Sequence, residues 1–218
     1  MKTKLFTLLA IGFLLFCGSA KSLKESVSIT QIETDLPVIV RVDANYSDVF
    51  GIDFPFAFEY KDKFFEKRSM VGIDYYYHKP YRRRRGWQSS FSAYQIISGN
   101  LVRITRPGGG ITGRLTENEP IVVYTRHLLD TARLVQAELR LYLEQIVQRN
   151  MQETGTLLVG TFSEFRARHP ELVKNLLRGD SIEFIISGHG EDFYCPRRMA
   201  LDTTIVLPIE TFFMHIEE

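Results

Sequence analysis

The sequence predicts an α+β protein, with an N-terminal antiparallel β region, then one long amphipathic helix and a mixed α/β C-terminal part. Three observations support this fold class. Short runs that alternate apolar and polar residues, separated by Gly, Pro and Asn, fill the first half of the chain. Apolar residues then recur at steps of three and four between residues 126 and 153. Short strand and helix patterns alternate after that point.

The first twenty residues have the layout of a secretory signal peptide. Lys2 and Lys4 give a positive start, residues 5–16 are apolar, and small residues run up to Ala20. The apolar run is too short to cross a bilayer as a stable helix. We therefore expect cleavage after Ala20 and an exported protein, periplasmic or extracellular, with no transmembrane segment in the mature chain.

Cys17 offers an alternative to this cleavage. The sequence Leu14-Leu15-Phe16-Cys17 resembles a bacterial lipoprotein box, in which the cysteine is acylated and becomes the new N-terminus. The bulky Phe16 stands where such a box has a small residue. If Cys17 leaves with the leader, Cys195 is the remaining cysteine and no internal disulfide can form.

Residues 21–115 form the predicted β-rich region. The chain is rich in aromatic residues, with 16 Phe and 10 Tyr, which favour strands and well-filled cores. The alternating runs predict strands at residues 26–42 (as two strands or one bent at Pro37), 54–60, 70–77, 89–97 and 101–105.

Residues 116–218 form the predicted α/β region, which is compatible with one continuous domain together with the first. A strand at 121–124 precedes the long helix 126–153, which Thr125 is expected to cap and Gly155 to end. The apolar stripe of that helix consists of Leu128, Ala132, Val135, Leu139, Tyr142 and Ile146.

Short elements are predicted beyond the long helix. Thr161 and Glu164 have the spacing of a capping box, and Pro170 can open a second short helix that Gly179 closes. Arg178-Gly179-Asp180 also resembles the integrin-binding tripeptide, although the glycine falls at this helix end. Strands are predicted at 157–159, 181–187, 203–209 and 211–216.

The densest chemical signal is the basic, aromatic segment between Tyr75 and Trp87. The net charge is +1, but between residues 25 and 60 Arg41 is the only base, whereas bases dominate residues 61–87. The segment is either a solvated hairpin tip or a surface for an anionic ligand or membrane. Its candidate binding residues are Tyr77, Lys79, Tyr81, Arg82, Arg83, Arg84, Arg85 and Trp87.

Two further patterns suggest chemistry. Residues 108–113 satisfy G-x-G-x-x-G, but a proline and a strand follow where a nucleotide site needs a helix, so we expect a β-turn loop and no nucleotide cofactor. His189, Asp192 and Cys195 supply the residue types of a thiol-based active site. We expect a buried Cys195, and no metal site, because no metal-ligand spacing is recognisable.

The sequence thus favours an exported, non-enzymatic protein that binds a partner through the segment between Tyr75 and Trp87. The partner would be a protein or an anionic envelope component; the compartment argues against nucleic acid. One alternative is an exported hydrolase with a site near His189, Asp192 and Cys195. Another is a structural component of an envelope assembly that uses the seam of the long helix.

Overall fold

The computed structural model describes residues 27–43, 48–63, 68–78, 90–106, 110–112, 114–129, 133–148, 155–188 and 203–208 of the 218-residue chain. The predicted leader with Cys17 and Ala20, the group His189, Asp192 and Cys195, and the last predicted strand lie outside these ranges.

The described residues form ten strands and three helices. The strands are β1 (Val27–Ile32), β2 (Pro37–Val42), β3 (Val49–Asp62), β4 (Arg68–Tyr76), β5 (Ser90–Ile97), β6 (Asn100–Arg103), β7 (Ile121–Leu128), β8 (Thr156–Thr161), β9 (Ser181–Gly188) and β10 (Thr203–Pro208). The helices are α1 (Arg133–Gln148), α2 (Phe162–Arg168) and α3 (Pro170–Leu177). None of these helices has the length and apolarity needed to cross a membrane.

The predicted fold class is wrong. The described chain is mostly β, with 56% in strands and 22% in helices, and it has a curled antiparallel sheet with three short helices instead of one long helix and a mixed α/β part. The predicted helix 126–153 also begins too early, because Arg126, His127 and Leu128 belong to β7. Thr125 is therefore a buried residue within this strand and no helix cap.

The large sheet has the strand order β6-β5-β7-β3-β2-β8, and every pairing in it is antiparallel. Strand β3 is 14 residues long, so it pairs with β7 along one edge and with both β2 and β1 along the other. As a result β7, which the sequence assigned to the second region, lies between β5 and β3 of the first.

The small sheet has the order β10-β9-β4. The described residues 104–106 and 110–112 join it to the large sheet through backbone hydrogen bonds. Ile104 N donates to Ala93 O at 2.9 Å, on the large-sheet side, and Ile111 N donates to Val71 O at 3.0 Å, on the small-sheet side.

The core lies between the inner face of the large sheet, the helices and the small sheet. Alternation along β3 points Phe54, Phe56 and Phe58 to this face, where each is at most 2% exposed. Phe54 packs against Phe165 of α2 and Phe58 packs edge-to-face against Phe184 of β9. The outer face of the same sheet carries the candidate site.

Candidate functional site

A row of four side-chain positions crosses the outer face of the large sheet. Ile39 of β2 stands opposite Asp53 of β3, Asp53 opposite Arg126 of β7, and Arg126 opposite Ser90 of β5. Directly paired residues on neighbouring antiparallel strands point to the same face. The strand register therefore places a buried carboxylate, a guanidinium and a hydroxyl side by side.

Asp53 binds two arginines. The Arg126 guanidinium donates from Nε to Asp53 Oδ1 at 2.9 Å and from Nη2 to Oδ2 at 3.2 Å. Arg41 donates from Nε to the same Oδ2 at 2.7 Å. The Asp53 side chain is only 5% exposed, whereas those of Arg41 and Arg126 are 25% and 27% exposed. The carboxylate is thus inside and the two cations reach the surface.

The charges of this group do not cancel. Two guanidinium groups face one carboxylate, and Arg126 by itself contacts both oxygens of Asp53 in the two-bond geometry that suits this pair best. Arg41 shares one oxygen that Arg126 already contacts. Arg41 therefore carries the surplus positive charge of the site.

The arginines lie in an open depression of about 240 Å³. We call it the arginine depression. Its lining combines these charged groups with hydroxyls and with aromatic and aliphatic walls. The lining residues are Ile39, Arg41, Asp53, Ser90, Phe91, Ser92, Tyr94, Leu101, Tyr124 and Arg126.

Tyr124 forms part of the floor of the arginine depression. Its ring meets that of Tyr94 edge-on, with ring centres 6.1 Å apart, and its hydroxyl donates to Pro37 O at 3.2 Å. Burial, reinforced by the negative charge of Asp53, raises the pKa of Tyr124 to about 12. The hydroxyl consequently stays protonated and adds no charge at neutral pH.

The chemistry of the arginine depression suits the binding of an anion better than catalysis. Its described lining residues include no histidine, cysteine or lysine, and Asp53 is occupied by the arginines, so none of the described groups is placed to activate Ser90 or Ser92 as a nucleophile. Within the ranges that the structure describes, no group of three His, Cys, Asp or Glu side chains could hold a metal ion.

A second polar cluster lies on the opposite, inner face of the sheet. His127 Nε2 is 3.0 Å from Thr125 Oγ1, and its Nδ1 is 3.7 Å from Asp180 Oδ2. Tyr75 donates from its hydroxyl to the same Asp180 oxygen at 2.9 Å. Thr125, His127 and Asp180 are at most 4% exposed, so this serine-protease-like set of residue types has no access to substrate.

Burial determines the charge state of this inner cluster. It lowers the pKa of His127 to about 3, against the opposing effects of the Asp53 charge and of a hydrogen bond with the Leu176 backbone. His127 is therefore neutral under ordinary conditions. Burial also raises the pKa of Tyr75 well above its usual value. The cluster holds β4, β7 and the start of β9 together.

Asp180 also decides how the tripeptide Arg178-Gly179-Asp180 is to be interpreted. Its carboxylate is buried and accepts hydrogen bonds from the Tyr75 hydroxyl and from His78 N at 2.8 Å. Gly179 follows α3 with φ of +77°, a conformation that favours glycine. The expected helix end is confirmed, and the carboxylate is not exposed to an integrin-type receptor.

A third polar group joins the helices. His169, between α2 and α3, contacts Tyr142 Oη of α1 at 2.8 Å through Nε2 and Glu138 Oε1 at 2.7 Å through Nδ1. His169 and Tyr142 are 5% and 1% exposed. Both ring nitrogens are occupied, so the group positions α1 and offers no free base.

Of the candidate binding residues between Tyr75 and Trp87, the structure describes Tyr77 alone. Its ring packs against His127 with centres 5.2 Å apart, and its hydroxyl donates to Ser90 O at 2.6 Å. Tyr77 thus has a structural role in the described chain. Lys79, Tyr81, Arg82, Arg83, Arg84, Arg85 and Trp87 lie outside the described residues.

Within the glycine-rich segment 108–113 the structure describes Gly110, Ile111 and Thr112. Gly110 forms a β-bridge with Gly72, and Ile111 forms one with Thr105. Residues 114–120 are not helical, and β7 begins at Ile121. The described residues on the C-terminal side of Gly110 up to β7 therefore provide no helix N-terminus for a pyrophosphate.

Sequence reasoning missed the arginine depression. Arg41 is the single charged residue of β2, Asp53 interrupts the apolar first half of β3, and Arg126 stands next to His127 in β7. A buried charge such as Asp53 needs a partner. That signal was visible, but only the register of β2, β3 and β7 shows that the three charges meet.

No protein-family model, curated protein sequence or solved structure matches the chain with statistical significance. The function of the arginine depression therefore has to be argued from its own chemistry.

Proposed function

We propose that the protein is an exported, non-enzymatic protein that binds an anionic component of the cell envelope at the arginine depression. The observation that carries this proposal is the arrangement of Arg41 and Arg126 around the single carboxylate of Asp53. One positive charge remains uncompensated at a concave, partly apolar surface.

The location of this charge makes it effective. The side chains of Arg41 and Arg126 are only about one-quarter exposed, so their field is screened less than that of a fully exposed arginine. Asp53 fixes the position of both side chains, which reduces the entropy lost when an anion binds. Arginine is also the residue best suited to carboxylate and phosphate groups, because its donors lie in a planar fork.

The decisive test is Arg41→Gln, which removes the surplus charge while Arg126 keeps Asp53 paired. We would titrate the protein with polygalacturonate and inorganic polyphosphate in low salt, using neutral dextran as the negative control. The wild type should bind at least one polyanion and no dextran. We expect Arg41→Gln to weaken that binding roughly 10-fold or more, as befits one charged hydrogen bond.

Arg140→Gln is the matched control. Arg140 lies on the exposed surface of α1, where its side chain is 77% exposed and pairs with Glu144. This variant changes the net charge equally but leaves the arginine depression intact. Equal losses of affinity in Arg41→Gln and Arg140→Gln would show that binding depends only on the net charge of the protein. A wild-type protein that binds neither polyanion would exclude the proposal.

The segment between Tyr75 and Trp87 stays a second predicted contact, to be tested separately. It leads directly into Ser90, which lines the arginine depression. Replacing Arg82, Arg83, Arg84 and Arg85 with serine should weaken polyanion binding if the segment takes part. Full affinity in a folded variant would leave the arginine depression as the whole site.

Export is tested on the purified protein from its native host. Intact mass spectrometry would support cleavage after Ala20 if the mass equals that of a chain starting at Lys21. It would support a lipid anchor if the mass equals that of a chain starting at an acylated Cys17. Recovery of the chain from the cytosol with Met1 and the leader still attached would contradict both.

A further inference from the structure

We infer that the anionic group bound in the arginine depression is the carboxylate of an acidic sugar, a hexuronate unit, placed against Arg41 with its hydroxyls towards Ser90 and Ser92. This inference rests on the proposed function and specifies its ligand.

The charge of the site favours a carboxylate over a phosphate. Two guanidinium groups and the Asp53 carboxylate leave a single surplus positive charge, at Arg41. A carboxylate brings one negative charge, whereas a phosphate monoester brings close to two. A carboxylate is therefore neutralised in full by this site, whereas a phosphate monoester is not.

The lining matches the mixed surface of a sugar ring. A pyranose presents C–H groups on its faces and hydroxyls around its edge, so it needs apolar walls and hydrogen-bonding groups in the same site. Tyr94 and Tyr124 supply aromatic surface, and Leu101 adds an aliphatic side. A free phosphate has no surface to place against these walls.

The sheet register places the hydroxyls at a suitable separation from the guanidinium. Ser90 stands opposite Arg126 and Ser92 opposite Tyr124 on neighbouring strands. These serines lie on β5, two strand spacings or about 10 Å from β3, where Asp53 holds the Arg41 guanidinium. A sugar whose carboxylate and hydroxyls are about 5 Å apart spans this distance with one hydrogen bond of about 3 Å at each end. Serine hydroxyls can both donate and accept, as sugar hydroxyls do.

The size of the arginine depression limits the ligand to a small unit. Its volume of about 240 Å³ is below the roughly 300–1,000 Å³ of typical small-molecule sites. One ring-sized group fits, and its openness to solvent lets a longer chain continue outside. We therefore place one uronate unit of a polysaccharide in the site.

The test compares trigalacturonate, the corresponding neutral galactose trisaccharide and inorganic polyphosphate by calorimetric titration. We expect trigalacturonate to bind at least 10-fold more tightly than the neutral sugar and to lose about 10-fold in affinity in Arg41→Gln. Ser92→Ala should cost about fivefold for the sugar and leave polyphosphate binding unchanged. Ser28→Ala, an exposed strand serine of β1, is the matched control and should change neither.

The outcomes separate this inference from the proposed function. Polyphosphate binding that depends on Arg41, without binding of trigalacturonate, would overturn the acidic-sugar assignment and leave the anion site standing. Equal binding of the charged and neutral sugars would also overturn it. The absence of binding to either anion would remove both proposals.

Discussion

At the scale of single residues, Asp53 shows how one buried carboxylate organises a surface. It stands in the apolar first half of β3, and both of its oxygens accept hydrogen bonds from arginines of the neighbouring strands. Without Asp53, two guanidinium groups would face each other at the same place. The carboxylate thus makes the surplus charge at Arg41 compatible with a stable sheet.

Asp53→Asn should destabilise the fold by about 1–3 kcal/mol, because a neutral amide replaces the acceptor of three charged hydrogen bonds in a mostly buried setting. Urea unfolding followed by circular dichroism measures the change. Glu59→Gln, which removes an exposed acid paired with Lys61, is the control and should cost less than about 0.5 kcal/mol. A smaller loss in Asp53→Asn than in the control would contradict this account.

The sequence could identify the members of this site but not their association. Arg41 is the single charged residue of β2 and Asp53 interrupts the apolar first half of β3, but the helical pattern assigned Arg126 to the start of the long helix, so its position on the sheet was not predicted. Whether Arg126 lies opposite Asp53 depends on the register between β3 and β7, and a shift of one residue in that register would place a different residue opposite Asp53. Long-range pairing of this kind is not encoded in any local pattern.

At the scale of elements, the sequence was most accurate where a local signal fixes a boundary. Thr161 Oγ1 accepts from Glu164 N at 3.2 Å and Glu164 Oε2 accepts from Thr161 N at 2.9 Å, so the predicted capping box of α2 is confirmed. Pro170 opens α3 as predicted. Both signals act within a few residues and need no tertiary context.

Helix α1 shows the opposite case. The three-four spacing is real for Leu139, Tyr142 and Ile146, which are all buried on one face. The same spacing was extended back to Leu128, although residues 121–128 form a strand that pairs with β3 and β5, and residues 123–127 alternate between buried and half-buried side chains. Tertiary pairing decided this overlap in favour of the strand.

Thr161→Ala should destabilise the protein by about 1 kcal/mol, because it removes one half of the capping box of α2. The free energy of unfolding in urea measures this loss. Ser163→Ala, two residues further along the same helix at an exposed position, makes no capping bond to lose and should change stability by less than about 0.5 kcal/mol. Equal effects would show that the capping box contributes nothing.

At the scale of the whole molecule, the strands were predicted more accurately than the architecture. Alternation identified most strands of the large sheet, and of the two alternatives for residues 26–42 the structure has two separate strands, β1 and β2, with Pro37 as the first residue of β2. The overall class failed because the helical pattern was weighted too heavily. The aromatic core that joins both sheets and the helices depends on residues far apart in sequence, such as Phe58 and Phe184.

The stability of the whole molecule should depend on pH through His127. Its pKa is about 3 in the folded protein and 6.5 in an unstructured chain. Below pH 6.5 the unfolded state takes up a proton that the folded state refuses, so the free energy of unfolding falls with decreasing pH over this window. At pH 5 this contribution amounts to about 2 kcal/mol.

The measurement is a series of urea titrations between pH 7.5 and pH 4, with His127→Gln as the comparison. We expect the variant to be less stable at pH 7.5 but to lose less stability than the wild type on acidification. Identical slopes for the two proteins would assign the acid sensitivity to other groups.

The hydrogen bond from the Tyr77 hydroxyl to Ser90 O joins residues on the two sides of positions 79–89, so it would still connect the two sides if the chain were cleaved between them. If the polypeptide were severed between Arg85 and Gly86, the first fragment would hold β1 to β4 and the second β5 to β10. Each fragment would then contain strands of both sheets, so neither fragment could bury its apolar surface without the other fragment. The two fragments would therefore remain associated, and a cleavage at this point would break the chain without unfolding the protein.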